Sequence, residues 1–145
     1  MRLFLYGTLM EGSGNPTAAW LHDRLEPGLQ AYALGRLYAV EDPQGWYPAF
    51  VPDPSGGRVF GMVHETTSRF DMSCLDVLDA YEGYQPGSPG QSEFLRQLVS
   101  VRLIESGHLV EVQVYTWANA VTENQVEIAS GDFARFLYQT RRRSY

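Results

Sequence analysis

The stretch Leu3–Pro16, reading LFLYGTLMEGSGNP, constrains the fold of this chain more than any other. Leu3 to Tyr6 are four large apolar or aromatic residues, the length and composition of a short buried strand. Gly7 interrupts the run, and Glu11-Gly12-Ser13-Gly14 opens the chain into a polar loop. Asn15-Pro16 closes that loop with a helix-start signature, since Asn supplies an N-cap acceptor and Pro tolerates the first helical position. A buried strand must therefore empty, at a glycine, into a loop and then a helix. Such a bend is either a tight turn or a place where a ligand nears the backbone and successive N–H groups form an anion-binding concavity.

The rest of the chain suits one domain, residues 1–145, with 44% hydrophobic and 13% aromatic residues available for a core. A formal net charge of −6 argues against nucleic acid as a partner, because phosphate affinity needs clustered cations. The one basic cluster, Arg141-Arg142-Arg143, reads as a solvated tail or a complement to a helix end. All 11 cationic side chains are Arg, which excludes a lysine Schiff base, a lysine general base and a phosphate-loop lysine. Cys74 stands alone, and His22, His64 and His108 lack metal-ligand spacing, so no metal or cofactor is expected. The apolar start is too short and too soon broken for a signal peptide, and no stretch approaches a membrane span, so a soluble cytoplasmic protein is expected.

Taken in order, Pro16–Leu25 is expected to be a helix with Ala18, Ala19, Leu21, His22 and Leu25 on one inward face and His22 a structural residue, stopped by Pro27-Gly28. Gln30–Val40 reads as a strand in which Gly35 marks a bulge or close backbone approach. Trp46–Val51 is a second aromatic strand that Pro48 confines to an edge or bulge, and Arg58–Glu65 alternates as a third. Ser68 or Asp71 caps a helix running to about Tyr81, with Gly83 as its C′ residue. Gln85–Ser92 is an excursion long enough for a lid. Phe94–Glu105 and Leu109–Ala118 form a hairpin around Ser106-Gly107, and Phe133, Phe136 and Leu137 mark a final helix.

Among the 17 acidic residues, Glu82 is out of place. It sits at a helix C-terminus, where the macrodipole disfavours negative charge, between Tyr81 and Gly83-Tyr84, whose rings would remove water. Both effects raise a carboxyl pKa, as a general acid or base near neutrality requires; the alternative is a surface glutamate with a solvated head. Asp76 and Asp79 are expected to face solvent or cap neighbouring groups. Arg96 can pair with a buried carboxylate or with a substrate carboxylate. Ser13 lacks a base and a nucleophile-elbow pattern, and Cys74 lies mid-helix, so both read as structural.

Taken together and in order, YGTL at Tyr6–Leu9, Gly35-Arg36-Leu37-Tyr38, Tyr47-Pro48-Ala49, Val59-Phe60-Gly61 and the run Leu78 to Tyr84 (LDAYEGY) resemble the gamma-glutamylcyclotransferase-like family, which includes the avirulence-induced-gene-like proteins and gamma-glutamylamine cyclotransferases. Phe94-Leu95-Arg96, Val114-Tyr115 and Ile128–Phe133 extend the likeness along nearly the whole chain. The resemblance implies an α+β fold, a small mixed barrel of about five or six strands with helices outside. It implies a pocket between the YGTL loop and Glu82, with Glu82 as general acid/base and backbone groups at Tyr6, Gly7, Thr8 and Leu9 holding a γ-glutamyl substrate. Tyr47, Arg96 and Tyr115 join them as candidate substrate contacts. The Gln85–Ser92 loop and the Trp46–Val51 segment are expected to build the leaving-group pocket. Phe94 departs from the family, which often has tyrosine there.

Such chemistry matches what the chain lacks. A γ-glutamyl compound carries its own nucleophile, the α-amine, within five-ring distance of the γ-carbonyl, so catalysis needs orientation and a proton carrier. The expected partner is that small molecule, with no nucleic acid and no membrane. The alternative is a binding or regulatory protein on the same scaffold.

Overall fold

The computed structural model describes residues 1–145. Strands β1 (Arg2–Leu5), β2 (Leu29–Asp42), β3 (Gly45–Pro52), β4 (Gly57–Glu65), β5 (Phe94–Leu103), β6 (Leu109–Trp117) and β7 (Val126–Glu127) are joined by helices α1 (Pro16–His22), after β1, and α2 (Met72–Tyr81), after β4, with α3 (Phe133–Thr140) following β7. Five strands close into a barrel in the order β2-β4-β1-β6-β5, with β5 returning to β2 at Ala31↔Leu103. The β1–β6 pair is parallel and the others antiparallel, so the barrel is mixed. β3 and β7 are extra strands carried by the outer part of β2. This is the expected fold class.

Two apolar clusters explain the sequence pattern. Phe4, Tyr6, Val59, Val101, Val112 and Val114 fill one. Leu3, Leu5, Leu9, Leu21, Leu78, Phe94 and Tyr115 form the other, under α1 and α2. β1 is buried on both faces, which is why Leu3–Tyr6 is continuously apolar rather than alternating. β2 continues past the barrel to pair with β3, and the transition falls at Gly35. A Cβ there would lie 2.3 Å from the Val51 carbonyl oxygen, so the close approach read from the sequence is an approach of β3.

Pro48 lies on β3, an edge strand whose one ladder is with β2 and whose other side carries only an isolated bridge between Trp46 and Ser144. Asp71, not Ser68, caps α2, accepting from the Cys74 N–H. α1 ends at His22, earlier than the expected Leu25, which instead bridges Thr66. The arginines of the basic tail are exposed, as in a solvated tail, while the tail is tethered to β3 and α3. The Arg142 guanidinium lies over the Trp46 and Phe136 rings at 4.5 and 5.2 Å, and Tyr145 donates its N–H to the Trp46 carbonyl at 2.7 Å.

Candidate active site

The geometry begins at the C-terminus of α2. Tyr84 donates its N–H to the Asp79 carbonyl and Gly83 donates to Ala80, the two bonds of a Schellman motif. Gly83 takes the left-handed conformation this requires, φ 65°, so the helix stops with Glu82 held at its C-cap. Asn15 meanwhile caps α1, accepting from the Thr17 and Ala18 N–H groups, and turns its Nδ2 toward the Tyr81 hydroxyl. The Tyr81 hydroxyl also lies 2.8 Å from Thr8 Oγ1. The helix end and the loop after β1 are thereby joined.

Between them lies a cavity of about 130 Å³. Tyr6, Gly7, Thr8, Leu9, Tyr47, Glu82 and Tyr115 all line it. The backbone N–H groups of Gly7, Thr8 and Leu9 donate to no protein acceptor. Three successive unpaired donors beside a cavity can bind an anion or a developing oxyanion. Gly7 is required there for packing, because a Cβ would meet the Pro48 ring at 2.2 Å.

Glu82 accepts no hydrogen bond from any protein donor, and only a minor part of its surface is exposed, while its neighbours withdraw it from bulk water. Burial first, then the charge of Glu93, pushes its pKa up to about 8. A carboxyl in this state can take a proton and return it near neutrality. The hydroxyl of Tyr6, which donates to the Tyr115 carbonyl at 2.6 Å, has its pKa raised by burial and then by the Glu82 charge.

Arg96 is not among the residues that line the cavity. Its guanidinium is bidentate on Asp79, at 2.9 and 3.3 Å, and the Tyr115 hydroxyl donates to the same carboxylate at 2.7 Å. Of the two roles open to Arg96, the structure shows the pairing with a buried carboxylate. Asp79 is correspondingly buried, at 6% exposure, so the solvent-facing one of its two expected settings does not hold. A pattern that puts Asp79 between Leu78 and Ala80 carries no sign of this, because its partners come from β5 and β6.

Of the expected leaving-group segments, Tyr47 and Pro48 of β3 line the cavity and no residue of Gln85–Ser92 does. That loop is closed on itself by a bond from the Gln85 N–H to Ser92 Oγ and a short 3-10 turn at Pro89–Gln91. Its exit residue, Glu93, reaches the cavity instead and accepts from the Tyr47 hydroxyl at 2.6 Å. Glu93, Asp42 and Tyr145 were not singled out from the sequence. Phe94 is 4% exposed and packs on Trp117 and Tyr47 with ring centroids 5.3 and 6.2 Å away, a setting that uses its ring. His22 and His64 meet edge to face with ring centroids 4.9 Å apart, and His22 Nε2 lies 2.8 Å from the Leu9 carbonyl oxygen. No group of three or more His, Cys, Asp or Glu side chains converges to hold a metal ion.

The family model described as gamma-glutamyl cyclotransferase, AIG2-like, matches residues 3–135. A search of curated proteins returned no match. Among solved structures, the Bacillus subtilis protein YkqA is 23% identical with a TM-score of 0.66, over 97% of this chain and 42% of its own. This chain therefore spans less than half the length of that protein. An AIG2-like protein from Mus musculus is 24% identical, TM-score 0.60, over 84% of this chain and 80% of its own. A protein of Arabidopsis thaliana is 22% identical, TM-score 0.63, over 97% and 83%. At these identities the likeness is one of fold.

Proposed function

The chain belongs to the gamma-glutamyl cyclotransferase, AIG2-like family, and from that premise we propose that it releases 5-oxoproline from a small γ-glutamyl compound, with Glu82 as the general base and acid. In this reading the α-carboxylate or the developing oxyanion rests on the free N–H groups of Gly7, Thr8 and Leu9. Ionised Glu82 takes a proton from the α-ammonium. The freed amine attacks the γ-carbonyl carbon, forming the ring C–N bond. Glu82 then returns that proton to the γ-amide nitrogen as the original C–N bond breaks, takes the second proton from the ring nitrogen and passes it to the departing amine, leaving 5-oxoproline, an ammonium product and Glu82 ionised again. Protons and bonds balance without a cofactor or covalent enzyme intermediate, and the cytoplasm is the setting proposed.

One observation carries the reading. A carboxylate without hydrogen-bond partners, titrating near 8, shares one small cavity with three unpaired backbone donors. A surface glutamate would have neither property. The test is 5-oxoproline release across a panel of γ-glutamyl amides, with wild type and Glu82→Gln. Turnover should fall by about 10²–10⁴-fold in the variant, the usual contribution of a positioned acid/base group. A folded Glu82→Gln protein working at the wild-type rate would end the catalytic claim. Wild type that binds these compounds without releasing 5-oxoproline would be the binding protein instead.

A further inference from the structure

Resting on the cyclotransferase reading, we infer that the outer part of this cavity selects a leaving amine that bears a second, positively charged ammonium group, with Glu93 and Asp42 as its specificity-determining residues.

The first observation is the sign of the wall. Asp42, Glu82 and Glu93 all line the cavity, and no arginine or histidine does, although the chain has 11 arginines. Glu82 lies at the inner end, where its charge acts on the Tyr6 and Tyr115 hydroxyls. Glu93 is exposed and marks the outer end. Its backbone donates to the Gly83 carbonyl and accepts from the Ala118 N–H, both at 3.0 Å, and its side chain accepts from Tyr47. It is therefore held at a fixed place, not free on a loop. Asp42, at the end of β2, acts with Glu93 on the same Tyr47 hydroxyl.

The second observation is aromatic and independent of charge. Tyr145 meets Tyr47 at 5.9 Å and Tyr81 at 6.3 Å, and Tyr47 meets Phe94 at 6.2 Å. Aromatic rings beside carboxylates are the chemistry that recognises an ammonium group. No three carboxylates converge on a point fit for a metal ion, so the arrangement suits an extended organic cation. A leaving group with a free carboxylate, as in a γ-glutamyl amino acid, would face like charges without a cation to answer it.

Three amides of equal chain length form the test: the γ-glutamyl derivatives of 1,4-diaminobutane, butylamine and 4-aminobutanoate, with cationic, neutral and anionic tails. At low ionic strength kcat/KM should fall in that order, by about tenfold or more between the ends, and the spread should narrow with salt. Glu93→Gln and Asp42→Asn should each cut the cationic-to-neutral ratio by about fivefold, the worth of a partly exposed ion pair. Because Glu93 also lifts the Glu82 pKa, the ratio is measured within one protein, where that effect cancels. Equal rates for the three tails, or a Glu93→Gln loss shared equally by all, would overturn the inference and leave the cyclotransferase reading standing. Should wild type release no 5-oxoproline from any tail, that reading fails by itself. Calorimetric binding of the same amides then decides the inference, upheld by cationic-first binding and overturned by equal or anion-first binding.

Discussion

The Tyr81 hydroxyl stands 2.8 Å from Thr8 Oγ1, joining residues 73 positions apart, and accepts from Asn15 Nδ2 at 2.9 Å. Glu82 is the next residue after Tyr81. The contact therefore ties the candidate acid/base to the loop whose free N–H groups line the same cavity.

Tyr81→Phe tests that tie. The ring stays while Thr8 and Asn15 lose a shared partner, at a cost of about 1–2 kcal/mol. The Tm should fall by several degrees, and 5-oxoproline release should fall by about tenfold through looser placement of Glu82. Unchanged melting and turnover would reject the positioning role.

The pH dependence of stability follows from Glu82. Its pKa is raised to about 8, so between the ordinary carboxyl value of 4.5 and 8 the folded protein keeps a proton that the unfolded chain has released. The stabilising contribution is full below 4.5 and is lost as pH rises to 8, in total on the order of a few kcal/mol. Glu82→Gln cannot ionise. Its Tm should match wild type near pH 4.5 and exceed it at pH 8.5, and melting curves that stay parallel across that window would refute the shift.

Gly7→Ala places a Cβ 2.2 Å from Pro48 Cγ. Forcing β3 away from the loop should cost about 1–3 kcal/mol. Pro48→Ala in the same chain removes the crowding ring atoms and leaves Pro48 Cβ, 3.6 Å away, as ordinary contact. The double variant should recover a large part of the lost Tm relative to Gly7→Ala. Additive losses would show that the clash is not the cause.

Asp79→Asn removes the charge that Arg96 and Tyr115 share. The Arg96 side chain keeps 21% exposure, so the loss should be below that of a fully buried pair, at about 2–3 kcal/mol. Arg96→Lys should not preserve the wild-type Tm, since an ammonium cannot reproduce the bidentate fork. Denaturant melts of the two variants check both statements, and losses below about 0.5 kcal/mol would mean the pair is screened by solvent.

Much of the local structure was legible in sequence because its causes lie within a few residues along the chain. Asn15-Pro16 starts α1 through a side chain reaching two and three residues ahead, and Gly83 ends α2 because a left-handed C′ position favours glycine. The alternation around Ser106-Gly107 set the β5–β6 hairpin, where Val99 pairs with Val112 and Val101 with Val110. Glu82 stood out for the same reason: its helix end and aromatic neighbours adjoin it in the chain. What surrounds a side chain from afar left no such trace. Asp79 is buried because β5 and β6 bring Arg96 and Tyr115 to it, and Arg96 turns to Asp79 for that reason. Gly7 serves the Pro48 ring of another strand, and Glu93, Asp42 and Tyr145 reach the cavity only once the barrel has closed. Hydrogen bonds within a turn are written in adjacent residues. Burial and the sign of a cavity wall depend on which distant segments meet, and that was decided by tertiary packing.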